Sequence, residues 1–167
     1  MSKEIVIRYK WDKDLALKSF NSIYKYEYTH SSKRYIGWFF IALSQFGVVA
    51  TLKKGDITLL LFSSIVIIYW YWLKKIVARK VFLKSFEKDP LKDKEIIIVA
   101  TKNGLEIDNQ FFSWEKFLQI EDVDNNLLLI SKNGKHYFIP FNAFKSLEEK
   151  SEFKTLFLNF KKKQKQE

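Results

Sequence analysis

Two long charge-free apolar runs, separated by only four residues, constrain this chain more than any other feature. The first run covers residues 35–52 and the second covers residues 57–73. At about 1.5 Å of rise per residue, a helix of either length spans roughly 26 Å, close to the hydrocarbon core of a bilayer, which is about 30 Å thick. The polar link Lys53-Lys54-Gly55-Asp56 is short enough to form a turn. The two runs therefore predict a transmembrane helical hairpin within residues 33–75.

Basic residues flank both ends of this predicted hairpin and give it an orientation. Lys33 and Arg34 come directly before the first run, and a second basic group follows the second run. The second group consists of Lys74, Lys75, Arg79, Lys80 and Lys84. By the positive-inside rule both ends face the cytoplasm, which predicts a two-span protein of the cell inner membrane with both termini cytoplasmic. We expect all of these basic residues to face lipid and to attract anionic headgroups.

The net charge of +10 is confined to the first part of the chain. Residues 95–167 contain 11 basic and 11 acidic residues, so this segment is neutral overall, with a local basic tail at residues 161–165. A nucleic-acid-binding domain is expected to carry a basic footprint on a folded face. The charge distribution therefore favours an anionic membrane surface, and not a nucleic acid, as the partner of the basic residues.

The first 32 residues predict a strand followed by an amphipathic helix on the cytoplasmic side. Apolar and polar side chains alternate over residues 4–11, and Asp12 is a helix N-cap signal. Residues 13–29 then carry apolar side chains at helical spacing. An isolated strand would leave its backbone groups unpaired, so we expect this strand to join the sheet of the C-terminal segment.

The pattern after the second run changes from helix to strand. A helical stripe continues among the lysines of residues 76–94 and predicts a basic juxtamembrane extension that stops before Asp89-Pro90. Residues 95–167 then show apolar runs separated by turn signals, of which the Asn-Gly pairs at 103–104 and 133–134 predict hairpins. A capping box at residues 146–149 opens a final amphipathic helix. The predicted fold class is membrane α+β, with a small antiparallel β-meander of about five strands closed by that helix.

No pattern in the sequence predicts a catalytic, cofactor or metal site. Cysteine is absent, which excludes a thiolate nucleophile and a cysteine-based zinc site, and the two histidines, His30 and His136, lie far apart. Ser113 lacks the Gly-x-Ser-x-Gly context of a nucleophile, and the five glycines form no phosphate-binding loop. We expect four carboxylates to be solvated and not to form a cation site: Glu115, Glu121, Asp122 and Asp124. The chain is therefore expected not to be an enzyme.

A few single residues have structural interpretations that compete with functional ones. Trp114 lies among apolar neighbours, which favours a place in the core under the final helix over a role as an exposed anchor. The polar residues of the two apolar runs are expected to hydrogen-bond between the helices: Ser44, Gln45, Thr51, Ser63 and Ser64. Gly37 and Gly47 are expected to allow close helix contact.

Four segments of the C-terminal half resemble the YcxB-like family of small bacterial membrane proteins. They read ATKNGLEID (residues 100–108), FSWEKFLQIED (112–122), HYFIPFNAF (136–144) and EFKTLFLNF (152–160). The resemblance implies two membrane helices followed by a C-terminal domain with a pleckstrin-homology-like (PH-like) fold at residues 95–167. It implies no catalytic residues.

Three functions from different classes remain open at this point. The first is a membrane-anchored binding module whose PH-like domain presents a strand edge or a pocket to a protein or a lipid headgroup. The second is a small accessory or regulatory subunit of a larger membrane complex, docked through the hairpin. The third is an enzyme whose site the sequence does not reveal. Homo-oligomerisation through the hairpin is compatible with each of them.

Overall fold

Both ends of the chain contribute to one folded unit, and the middle of the chain forms another. The computed structural model describes residues 4–32, 34–55 and 57–164. By internal contacts, Met1–Ile23 and Lys88–Glu167 form the first unit, here called the domain. Tyr24–Glu87 form the second, here called the helical unit. The helical unit is therefore inserted into the sequence of the domain.

The helices begin and end close to the positions that the sequence patterns predict. They are α1 (Lys13–His30), α2 (Arg34–Lys54), α3 (Thr58–Ile68), α4 (Lys74–Phe86) and α5 (Leu147–Gln164). A π-helical segment, Tyr69–Leu73, joins α3 to α4 without a break, which confirms that the second apolar helix continues into the basic extension. The backbone N–H of Leu15 donates to Oδ1 of Asp12 at 2.8 Å, which confirms Asp12 as an N-cap.

The strands form two antiparallel sheets. Within the described residues there are seven strands, and six of them lie in the C-terminal segment, one more than the roughly five predicted there. The first sheet has the order β1 (Ile5–Lys10), β2 (Glu95–Ala100), β3 (Gly104–Ile107) and β4 (Gln110–Ser113). The second has the order β5 (Phe117–Val123), β6 (Asn126–Ser131) and β7 (His136–Ile139). A 3₁₀ turn at Trp114–Lys116 connects the two sheets.

Strand β1 pairs antiparallel with β2 along its whole length, from Ile5 opposite Ala100 to Lys10 opposite Glu95. This confirms that the N-terminal strand joins the C-terminal sheet. Its alternation places Ile5 and Ile7 in the core, where they are 3% and 0% exposed. The N-terminus is therefore an integral strand of the domain and not an appendage.

The tight turns lie partly where the sequence predicts them. Asp124 and Asn125, between β5 and β6, both have positive φ, as a two-residue hairpin turn requires. The same holds for Asp108 and Asn109 between β3 and β4, a turn that the Asn-Gly signals did not predict. Gly104 belongs to strand β3, where a Cβ would collide with the carbonyl oxygen of Phe112 across the sheet. This glycine permits close strand contact and does not supply a left-handed turn.

Trp114 lies at the centre of the core, as predicted. Its side chain is fully buried, and its indole N–H donates to the carbonyl oxygen of Thr101 at 2.9 Å. The rings of Phe153 and Phe157 from α5 approach it edge-on, with centroid distances of 5.9 and 5.6 Å. Burial of a large aromatic with its polar atom satisfied stabilises the core without an unpaired donor. Trp114 therefore joins α5 to the connection between the two sheets.

Tyr9 links the two sheets on the other side of the domain. Its hydroxyl donates to the carbonyl oxygen of Phe138 in β7 at 3.1 Å. Burial raises the pKa of Tyr9 well above its usual value, and the charge of Asp108 adds to the shift. The phenol therefore stays protonated and remains a donor throughout the physiological range.

Trp11 joins the segment that follows β1 to the segment that precedes β2. Its backbone N–H donates to the carbonyl oxygen of Lys94 at 2.8 Å, and its carbonyl accepts from the backbone of Asp93 at 2.9 Å. Its indole N–H donates to Oδ2 of Asp89 at 3.3 Å. The end of β1 and the start of β2 are therefore fixed side by side.

Asp122 of β5 connects the second sheet to α5. Oδ1 of Asp122 lies 2.5 Å from Nζ of Lys150, and Oδ2 accepts from Nζ of Lys154. Lys150 also donates to the carbonyl oxygen of Asn125 at 2.8 Å. Burial by itself would raise the pKa of Asp122, but the hydrogen bonds and charges of the two lysines outweigh it and hold the pKa below its usual value.

We expect Ile7→Ala to lower the free energy of unfolding of the domain by about 2–4 kcal/mol, because it opens a cavity in the core. Val6→Ala is the matched control, since Val6 is the adjacent residue of the same strand and is 40% exposed. The measurement is urea-dependent pulse proteolysis of the full chain in detergent. Equal losses in the two variants would mean that β1 is not built into the core.

We expect Asp122→Asn to lower the free energy of unfolding by about 1 kcal/mol at neutral pH, because Asp122 is partly exposed and solvent screens its ion pairs. Its depressed pKa stabilises the folded state above the unfolded-state value of about 4, and this stabilisation is lost as the pH falls through the folded-state pKa. The difference between wild type and variant should therefore vanish in acid. Glu121→Gln is the control, and a pH-independent difference would contradict the ion-pair explanation.

Candidate membrane interface and the surfaces of the domain

The helical unit contains two helices that are long and apolar enough to cross a membrane. The candidate spans are Tyr35–Lys54 and Thr58–Phe86, and most of their apolar side chains are exposed. Leu52 is 82% exposed and Trp72 is 75% exposed. Soluble proteins rarely expose continuous apolar surface on this scale. The arrangement is typical of helices that face lipid.

The aromatic tract Tyr69–Leu73, near the middle of the second candidate span, forms the π-helical segment. A π-helix places one extra residue in a turn, which changes the side-chain directions before and after it. Gly37 of α2 lies against this segment, where a Cβ would be 2.6 Å from the hydroxyl of Tyr71 and 3.0 Å from Cδ1 of Trp70. This confirms the predicted close contact at Gly37. Tyr and Trp at such a level are common at membrane–water boundaries.

The basic residues of α4, which follow the aromatic tract within the second candidate span, surround the helix. Because an α-helix turns about 100° per residue, the side chains of Lys74, Lys75, Arg79, Lys80 and Lys84 point in different directions about the axis of α4. Nζ of Lys74 lies 3.8 Å from the ring centroid of Trp70, and Nζ of Lys75 lies 5.7 Å from that of Tyr24. Lys33 lies outside the described residues, and the side chain of Arg34 is not described. The α4 residues form a basic collar and not a single docking face.

The hydroxyl groups that were predicted to donate hydrogen bonds between α2 and α3 instead donate within their own helices. Ser44 and Thr51 donate to carbonyls of their own helix, at Ile41 and Gly47. Ser63 and Ser64 do the same in α3, where both reach the carbonyl of Leu60. A hydroxyl has a single proton, and in these four residues it is donated to the preceding turn of the same helix.

Close backbone contact joins the helices instead, as predicted at Gly47. A Cβ on Gly47 would lie 2.9 Å from both Cα and N of Leu60. Packing of this kind, with a small residue that lets two backbones approach, is a main source of helix association in membranes.

The residues whose side chains could take part in catalysis or ligand binding either have structural roles or do not form a group with one another. The hydroxyl of Ser113 accepts a hydrogen bond from the backbone of Glu115 at 3.3 Å. His30, at the end of α1, stacks on Tyr26 with ring centroids 4.2 Å apart, and His136 lies in β7. Among the described residues, no three histidine or carboxylate side chains lie close enough together to hold a metal ion.

The domain brings together lysines that are far apart in the sequence. Lys116 lies in the 3₁₀ turn between the sheets, Lys132 follows β6, and Lys161 lies in the last turns of α5. The backbone N–H of Lys132 donates to the carbonyl oxygen of Lys116 at 2.8 Å. Sequence patterns do not reveal this grouping, because each lysine separately reads as an ordinary turn or tail residue.

Comparison with known families matches part of the domain. Residues 93–157 match the family model described as YcxB-like protein. The match covers β2 to β7 and the first part of α5, but neither β1 nor the helical unit. Searches of curated proteins and of solved structures gave no match.

We expect Gly47→Ala to destabilise the packing of α2 against α3 by about 1–3 kcal/mol, since its Cβ would press on the backbone of Leu60. Gly37→Ala is the matched control, because its Cβ would meet the movable end of the Tyr71 side chain. Both changes gain the same helix propensity. The measurement is SDS-induced unfolding in mixed micelles, and an equal effect of the two substitutions would contradict the contact at Gly47.

Proposed function

Residues 93–157 belong to the YcxB-like protein family, and on that premise we propose that the chain is a non-catalytic integral membrane protein. In this proposal the helical unit spans the cell inner membrane as a hairpin. The domain lies in the cytoplasm, has a PH-like fold, and binds a protein or a lipid partner at the membrane surface.

The observation that carries this proposal is the pairing of β1 with β2 on either side of two candidate membrane spans. If the hairpin crosses the membrane twice, both of its ends emerge on the same side. Only then can the two strands form one sheet without crossing the bilayer. The basic collar of α4 supports the cytoplasm as that side, by the positive-inside rule.

A PH-like fold is supported by the arrangement of the domain. Four strands and three strands form two antiparallel sheets, and the last helix packs its aromatic side chains into the core next to Trp114. A non-catalytic role is supported by the polar groups. The carboxylate of Asp122 is held by two lysines, and the hydroxyl of Ser113 caps a turn.

An accessory or regulatory subunit is the second candidate function. The observation that favours it is the large exposed apolar surface of α2 and α3, which could contact another membrane protein as readily as lipid. Homo-oligomerisation would use the same surface. In this case the domain would regulate the larger membrane complex, and the helical unit would dock onto it.

Site-specific photo-cross-linking of the full chain in native membranes tests the proposed function. A photoreactive phenylalanine replaces Phe111, which is 57% exposed on the domain, and in a second variant Phe46, which is 69% exposed on α2. Capture of one protein or lipid from position 111 supports the binding module. Capture of one stoichiometric membrane protein from position 46 alone supports the accessory subunit. No specific product from either position would contradict both.

Cysteine labelling tests the predicted topology, since the natural chain contains no cysteine. We expect Lys54→Cys, at the end of α2, to react with an impermeant maleimide added outside intact bacterial cells that express the chain. Lys135→Cys, between β6 and β7, should react only after the membrane is permeabilised. Labelling of both positions from the same side would contradict the two-span arrangement.

A further inference from the structure

Three lysines from three separate elements lie on adjoining segments at one end of the domain. Lys116 and Lys132 are joined through the backbone hydrogen bond described above, and the hydroxyl of Ser131 also donates to the carbonyl of Lys116 at 3.0 Å. Lys161 is close enough to Lys132 for their charges to interact. These are long-range contacts of the fold and not a consequence of neighbouring positions in the sequence.

Two of these ammonium groups are held over aromatic rings of the domain. Nζ of Lys116 lies 5.1 Å from the ring centroid of Phe112, and Nζ of Lys161 lies 5.5 Å from that of Phe157. The second ring belongs to the aromatic cluster around Trp114. A cation placed over a ring is attracted by its negative face, so the lysine heads are restrained near the domain surface.

The two ends of the domain differ in how their lysines are paired. Asp122 and Asp124 lie near the β5–β6 turn, at the end where α5 begins, and Asp122 is neutralised by Lys150 and Lys154. Lys116, Lys132 and Lys161 lie at the other end of β6 and α5. Burial lowers the pKa of Lys161, the charge of Lys132 lowers it further, and Glu115 partly opposes the shift. Among the described residues, no salt bridge joins any of these three lysines to a carboxylate.

The end of α5 explains only part of this grouping. Lys161, Lys162 and Lys163 lie in the last turn, where cations complement the negative end of the helix dipole. Lys116 and Lys132 belong to other elements and gain nothing from that dipole. The charges of Lys132 and Lys161 repel each other, and a bound anion would relieve this repulsion.

We propose that Lys116, Lys132 and Lys161 form a binding site for a phosphate-bearing anion on the domain. Lysine provides compact point charges that suit phosphate oxygens, and the aromatic rings keep two of these charges in place. This inference rests on the proposed function, because it names the class of ligand that the domain binds. The phosphate belongs either to a lipid headgroup or to a soluble molecule.

Lysine acetylation footprinting of the full chain in nanodiscs tests the site. The probes are inorganic pyrophosphate added to phosphatidylcholine nanodiscs, and nanodiscs in which phosphatidylglycerol replaces half of that lipid, all at matched ionic strength. We expect saturable protection of Lys116, Lys132 and Lys161 relative to Lys10, which pairs with Glu95 in the first sheet, and Lys145, which lies just before the start of α5. Protection by pyrophosphate assigns a soluble phosphate, and protection by phosphatidylglycerol alone assigns a headgroup.

Substitutions separate a built site from general electrostatic screening. We expect the double variant Lys116→Gln and Lys132→Gln to weaken the protection of Lys161 at least about tenfold, since each charged hydrogen bond is worth that much or more. The control is Lys10→Gln with Lys145→Gln, which should change nothing. Protection by neither probe, or equal protection of Lys10 and Lys145, would overturn the site. The photo-cross-linking result is independent, so a domain that binds only a protein would still be detected.

Discussion

The antiparallel pairing of β1 with β2 is the interaction on which the rest of this structure depends. It places Ile5 and Ile7 in the core and completes the first sheet from the opposite end of the chain. The pairing continues just beyond the two strands, where residues 11 and 93–94 are hydrogen-bonded to each other. A strand pair that in a simpler protein would be joined by a short turn is here joined by two candidate membrane spans.

The aromatic core determines where the basic end of the domain lies. Trp114 is anchored by its hydrogen bond to Thr101 and by the rings of α5, so the 3₁₀ turn that follows it has little freedom. Lys116 ends that turn, and Lys161 lies over Phe157, a direct neighbour of Trp114. Core packing therefore determines the geometry of the proposed anion site, and a variant that unfolds the core would also lose the site.

Local patterns in the sequence predict the helices and strands well, but they do not predict which residues the fold brings together. Helix limits, the Asp12 cap and the strand character of residues 4–11 follow from periodicity and capping, which depend on near neighbours. The joining of β1 to the sheet follows from the need to pair its backbone. Other features depend on the three-dimensional environment. They are the turn at Asp108-Asn109, the place of Gly104 in a strand, and the hydrogen bonds that the hydroxyls of α2 and α3 make within their own helices. Lys116, Lys132 and Lys161 meet only through the fold, so no local signal marks them.

The insertion separates the two tasks that the proposed function requires. Because the helical unit is inserted between two segments of the domain, a membrane hairpin could anchor the domain without contributing a strand to it. Two covalent connections to a membrane hold a domain in a thin layer of volume, which raises its effective concentration for any partner in that layer. A site built from only a few point charges binds weakly by itself. Tethering of this kind would let such a site act, which is why an anchored domain needs no deep pocket to bind at a membrane surface.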